Sequence, residues 1–190
     1  MTLHNVLDFA KEVMNQSIND GDIAIDATAG KGSDTLFLAR RVGESGKVYS
    51  FDIQKEALDQ TSQLLHHHQL DNRVTLFQQG HEQANSLIPV EEQARLKTVV
   101  FNLGYLPGGN KQITTQTNTT VQAVSDFLDM LPSGGLLVVV VYHGHEEGKK
   151  EKEALETYST QLNQQQVQVL RYEFVNQVNR PPFLLLFQKR

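Results

Sequence analysis

Cysteine is absent from all 190 residues. Disulfides, thiolate zinc sites and iron–sulfur clusters are excluded with it, as is every mechanism that needs a cysteine nucleophile. No stretch approaches the ~20 consecutive apolar residues of a membrane span. The N-terminal MTLHNVLDFAKEVM alternates polar and apolar residues at helical spacing and lacks the apolar core of a signal peptide. The expectation is a cytoplasmic protein that engages no membrane. Positive charge is scarce too. The net charge is −5, which argues against the many phosphate contacts of a large nucleic-acid footprint. The imbalance lies in one half: residues 1–95 hold 14 acids against 8 Lys/Arg, whereas residues 96–190 hold 8 against 9. A polyanion would meet the C-terminal half, through a small area.

What the chain does contain is a regular alternation of short apolar runs and amphipathic stretches, without repeats or linkers. Its length fits a single domain spanning 1–190, large enough to bury roughly 70% of its unfolded surface. Leu3, Val6, Leu7, Ala10, Val13 and Met14 predict a one-faced helix over 2–17. Strands are expected at 23–26, 47–52, 73–78, 98–103 and 136–142. Helices are expected at 33–41, 54–68, 116–130 and 149–162, with a weaker helical stretch over 80–96 that contains Pro89. The run LLVVVVY at 136–142 is apolar throughout, as a buried parallel strand is. Two strands, 166–175 and 183–188, close the chain with no helix between them. The pattern predicts an α/β fold: a doubly wound, mostly parallel seven-stranded sheet with an antiparallel strand near the C-terminus.

The first strand feeds its helix through DATAGKGSD, residues 26–34. Such a turn leaves backbone N–H groups free and lets a ligand approach the main chain at Gly30 and Gly32. A phosphate loop is excluded, because Ile25 stands where its first glycine belongs. A dinucleotide fingerprint is incomplete, with Thr35 in place of its third glycine, and Asp26 would repel a pyrophosphate. A cofactor with a cationic amino-acid end, such as S-adenosylmethionine, suits that acid. Ser33 is expected to cap the helix.

Ligands of doubly wound sheets lie at the C-terminal strand ends. Asp52 closes the second strand 22 residues after Gly30, close to the ~20 expected of an acid that grips ribose hydroxyls. Ile53 and Gln54 follow it, Gly80 and His81 follow the third strand, and Asn102 and Tyr105 follow the fourth. Tyr142, His143 and His145 follow the fifth. His143 and His145 have ligand spacing, but no carboxylate pattern completes a metal site, so none is expected. His66, His67 and His68 read as a favourable helix C-terminus. Asn102-Leu103-Gly104-Tyr105 resembles in part the [N/D]-P-P-[Y/F] loop of amino-group methyltransferases, in which the amide accepts hydrogen bonds from an amine and the ring stacks on a base.

Taken together, DATAGKGSDTLFLA, FDIQKEAL, FNLGYLPGGNK, TNTT at 117–120, YHGHEEG and NQVNRPPFLLLF resemble the YtqB-like rRNA methylase family, over nearly the whole chain. The resemblance implies a class I (Rossmann-like) methyltransferase of the MnmM type. Its donor would be S-adenosylmethionine, and its reaction the methylation of 5-aminomethyluridine at the tRNA wobble position. The absence of cysteine agrees, since methylation of a pyrimidine carbon commonly uses one. A weakly basic C-terminal half suits a single-stranded anticodon loop; a homodimer stays open. On this reading Asp26, Thr28, Gly30, Lys31, Gly32, Ser33 and Asp34 hold the methionine end. Asp52 binds the ribose; Ile53, Gln54, Gly80 and His81 border the adenosine. Asn102, also counted with the cofactor, and Tyr105 hold the amine and base, and His143 is a candidate proton acceptor. Pro107, Asn176 and Arg180 contact the substrate. Methylation of rRNA or of a small amine, and a non-catalytic nucleotide-binding module, are the alternatives.

Overall fold

The computed structural model of the chain describes residues 2–104 and 117–190. Its seven strands are β1 (Ile23–Asp26), β2 (Lys47–Phe51), β3 (Val74–Phe77), β4 (Leu96–Asn102), β5 (Leu136–Val141), β6 (Val167–Tyr172) and β7 (Phe183–Lys189). They form one sheet in the order β3-β2-β1-β4-β5-β7-β6. β1 to β5 pair in parallel, and β7 runs antiparallel to both β5 and β6. The antiparallel strand is thus one position in from the edge. β5 is buried at all six positions, which is why its sequence shows no polar alternation.

Helices cover both faces because the strands alternate their side chains. Ala24, Val48, Val100, Val138 and Val140 face a cluster with α1 (Val6–Ser17), α2 (Ser33–Arg41) and α3 (Lys55–His67). Ile25, Val99, Phe101 and Val139 face the other cluster, with α4 (Ala84–Leu87), α6 (Thr117–Met130) and α7 (Glu146–Gln161). α1 begins where the Asn5 side chain accepts the Asp8 N–H at 2.9 Å. It buries Val6, Ala10 and Met14 and packs on β4 and β5.

Several boundaries differ from those expected. The 80–96 stretch is a 3₁₀ turn and two four-residue helices, α4 and α5 (Val90–Gln93), separated at Pro89. Proline has no N–H to continue a helix and restricts the residue before it, here Ile88, to extended backbone. α7 starts at Glu146, three residues earlier than the apolar pattern indicates, because the His145 side chain accepts the Gly148 N–H at 3.1 Å and caps it. β6 ends at Tyr172 rather than at Val175. No helix among the described residues is long and apolar enough to cross a membrane.

Candidate active site

The strand order reverses between β1 and β4, so the loops leaving these strands diverge and open a crevice at their C-terminal ends. The two loops are tied across it: the backbone N–H of Asn102 donates to Thr28 Oγ1 at 2.7 Å. The β1 turn is tied to β2 as well. Gly30 N–H donates to Asp52 Oδ2, and Gln54 N–H donates to Asp52 Oδ1, each at 2.9 Å. An ionised carboxylate offers about four acceptor positions, so Asp52 keeps capacity for two further donors such as ribose hydroxyls. Ile53 beside it is 57% exposed, an apolar ledge next to that carboxylate.

Gly32, not Ser33, occupies the cap position of α2, in the left-handed region at φ 82°. A Cβ there would lie 2.9–3.0 Å from Thr61 of α3, so α3 and the turn both require glycine. Ser33 becomes the first helical residue and makes no cap; it and Lys31 are exposed on the crest of the turn.

Asp26 is placed differently from the expected donor contact. It is 1% exposed, accepting the Thr28 N–H at 3.1 Å and the Thr35 hydroxyl at 2.6 Å. Thr35 in turn lies 3.1 Å from Ser50 Oγ. Asp26 braces the turn from below, and Thr35, which spoils a dinucleotide fingerprint, is its partner. Burial, with the negative charge of Asp34 next, pushes the Asp26 carboxyl up to about 7, and Asp52 adds to this. Asp34 and Asp52 thus both act on the Asp26 carboxyl beneath the turn.

Asn102 Nδ2 donates to Asp34 Oδ2 at 3.2 Å. Because a carboxylate only accepts, this bond fixes the amide orientation and leaves Asn102 Oδ1 as an acceptor. Burial, and then the negative charge of Asp34, push the Tyr142 hydroxyl, just past the end of β5, above its ordinary pKa. His81 is 8% exposed and packs edge-on against Phe101 at 5.1 Å. Its Nδ1 donates to the Ala27 carbonyl at 3.1 Å, burial lowers its pKa, and Nε2 is buried with no hydrogen-bond partner among the described residues. Gly80, half-buried, precedes it.

The remaining predicted residues are farther out. His143 packs on Phe183, with ring centroids 5.6 Å apart. Asn176 and Arg180 are exposed in the β6–β7 connection. The Glu146 carboxyl, at the start of α7, is held low chiefly by Lys149, then by Lys150 and Arg180, which places Arg180 near that helix start. Asn176 makes no hydrogen bond among the described residues. Tyr105 and Pro107 lie outside the described residues. No group of three or more His, Asp or Glu among those residues could hold a metal ion.

A small cavity of about 90 Å³ adjoins Asn102 and Asp34 and is roofed by α1, with Lys11 and Ser33 in its wall. Nothing in the strand-end logic points to α1. The one available signal is a lysine interrupting the apolar stripe between Leu7 and Met14. A larger open groove, about 680 Å³, runs between α6 and α7 and includes none of the predicted site residues.

The sequence profile described as "Putative rRNA methylase" matches residues 48–188. The chain belongs to the rRNA methylase family. It is a methyltransferase on that ground, and the match begins after the Asp26–Ser33 turn, so the turn is independent support. The family member's relatives agree along the whole chain. It is 38% identical over 188 residues to the tRNA (mnm(5)s(2)U34)-methyltransferase, chloroplastic, of Arabidopsis thaliana, covering 95% of this chain and 68% of that protein. Among solved structures, an rRNA-methylase from Clostridium thermocellum superposes with a TM-score of 0.96 at 39% identity, over 100% of both chains. A methyltransferase from Streptococcus mutans in complex with SAH superposes at 0.89 with 35% identity, again over 100% of both.

Proposed function

We propose that this methyltransferase transfers the methyl group of S-adenosylmethionine to the exocyclic amine of 5-aminomethyluridine at the tRNA wobble position. The observation that carries the reading is the fixed amide of Asn102. With Nδ2 committed to Asp34, its Oδ1 can accept an N–H from an incoming amine and aim the nitrogen lone pair away from the amide. The name of the Arabidopsis relative, a wobble-uridine methyltransferase, supports the same substrate.

S-adenosylmethionine supplies a methyl group already activated by a sulfonium cation. The crevice suits that cation: Asp34 and Asp52 lie close enough to the turn to raise the Asp26 carboxyl buried beneath it, and a pyrophosphate would be repelled. Asp52 holds the ribose, with Ile53, Gln54 and Gly80 beside it. His81 sits beneath the rim and supports Ala27. Thr28, Gly30 and Gly32 shape the main chain along the amino-acid end, and Lys31 and Ser33 flank it. The amine must be neutral to act as a nucleophile, and a nearby cation lowers its pKa. Positioning by Asn102, with Tyr105 and Pro107 on the base, then does most of the catalysis, and the proton leaves to solvent or to His143. Asn176 and Arg180 border the anticodon loop, a small footprint consistent with the charge of the C-terminal half. Action in the cytoplasm belongs to this proposal.

Mass spectrometry of tRNA nucleosides from a strain lacking the gene tests the substrate. Accumulated 5-aminomethyluridine, reversed by the wild-type gene, is expected. An unchanged tRNA profile with a lost methyl group in rRNA would transfer the reading to rRNA.

A further inference from the structure

α7 turns a carboxylate toward the core at the centre of its buried stripe. Its buried residues are Gly148, Glu151 and Leu155, spaced as one face of a helix. An apolar side chain there would lose nothing on leaving water, whereas a buried carboxylate persists only where hydrogen bonds offset its desolvation. Glu151, 1% exposed, accepts the hydroxyl of Thr120 at 2.6 Å, and Thr120 is fully buried in the first turn of α6. The bond bridges two helices between which the open groove of about 680 Å³ runs. It also lies near the starts of both. α6 follows β4 and α7 follows β5; these strands are neighbours, with Asn102 paired to Val140, so the connections leaving them share the ligand end of the sheet. α7 is locked to the exit of β5, because His145 caps it and a Cβ on Gly148 would overlap the Tyr142 carbonyl oxygen. A carboxylate only accepts, so the Thr120 hydroxyl is committed to it, and the bond carries the position of α7 across to the start of α6.

We propose that Glu151 is a positioning residue for methyl transfer. Acting through Thr120, it fixes the start of α6 against α7 and so sets the spacing between the connections after β4 and β5, which border the acceptor beside Asn102. The inference rests on the proposed amine acceptor. It adds a determinant on the α6–α7 face of the sheet, opposite to α2 and Asp34, where no contact with the donor is needed. Small displacements of this kind act on the rate, because transfer requires the amine to lie in line with the methyl group.

Single-turnover methylation of tRNA carrying 5-aminomethyluridine, with calorimetry of S-adenosylhomocysteine and thermal denaturation alongside, tests this. Replacing both partners by apolar groups of similar shape is nearly neutral for stability. The double variant Thr120→Val, Glu151→Leu should therefore keep a Tm and an S-adenosylhomocysteine affinity close to wild type, while its rate falls about tenfold or more. Thr120→Val alone should slow transfer to the same degree, and Thr120→Ser, which retains the hydroxyl, should match wild type. A wild-type rate in the double variant, or a loss of S-adenosylhomocysteine affinity in step with the rate, reduces the pair to packing and overturns the proposal. If the double variant does not fold, Thr120→Val against Thr120→Ser decides the same question: equal rates overturn it. Should wild-type protein bind S-adenosylhomocysteine yet leave that tRNA unmethylated, the acceptor reading itself fails and this role with it.

Discussion

Gly30 and Asp52 stand 22 residues apart in sequence and are joined by a 2.9 Å hydrogen bond from the Gly30 N–H to Asp52 Oδ2. The bond links the turn after β1 to the end of β2. One carboxylate therefore holds the turn and keeps acceptor capacity for further donors. Asp52→Ala should abolish measurable S-adenosylhomocysteine binding by calorimetry. Asp52→Asn, which keeps one acceptor oxygen, should bind more weakly than wild type but detectably. Wild-type affinity in Asp52→Ala would remove the ribose assignment.

Asn102 makes a structural bond and the proposed amine contact through separable atoms. Its backbone N–H holds Thr28 and survives any substitution except proline; its side chain meets Asp34 and the crevice. Asn102→Ala should therefore keep the fold and most cofactor affinity, while kcat falls about 10²-fold through loss of amine positioning. Single-turnover kinetics with saturating donor make the comparison. An unchanged rate would exclude the side chain from the reaction.

Asp26 predicts a pH dependence with a definite sign. In the folded protein burial pushes its carboxyl up to about 7, against the ordinary 3.8. Between these values the folded state binds the additional proton, so the contribution of Asp26 to stability is full below 3.8 and declines as pH rises to about 7. His81 acts oppositely, because burial lowers its pKa and the charged form is disfavoured in the fold. The difference between variants isolates Asp26. The Tm of Asp26→Asn minus that of wild type should increase from pH 5 to pH 8; the same difference at both pH values contradicts a raised carboxyl.

Gly32→Ala should destabilise the protein by about 1–3 kcal/mol, from the positive φ together with the close approach to Thr61. Urea denaturation measures it. Thr61→Ala in the same chain should recover only part of the loss, since the Thr61 Cα lies as close as its side chain and the backbone strain persists. Full recovery would assign the whole cost to the Thr61 side chain.

The sequence by itself determined the sheet and the line of strand ends. Apolar runs of strand length separated by amphipathic stretches leave few topologies, and crossover handedness then orders them. Asp52 and Asn102 stand beside the crevice for that reason: each ends an apolar run, and the C-terminal ends of parallel strands border the ligand side of such a sheet. Tertiary structure decided what local pattern does not encode. Asp26 also ends a strand, yet the rotation of its side chain beneath α2 puts it against Thr35 rather than in the crevice. Gly32 took the cap from Ser33 because α3 packs close to the turn. Lys11 lines one cavity with Asp34 and Asn102 only because α1 folds back over β4 and β5. That juxtaposition arises from packing between segments distant in sequence, and no periodicity in either segment records it.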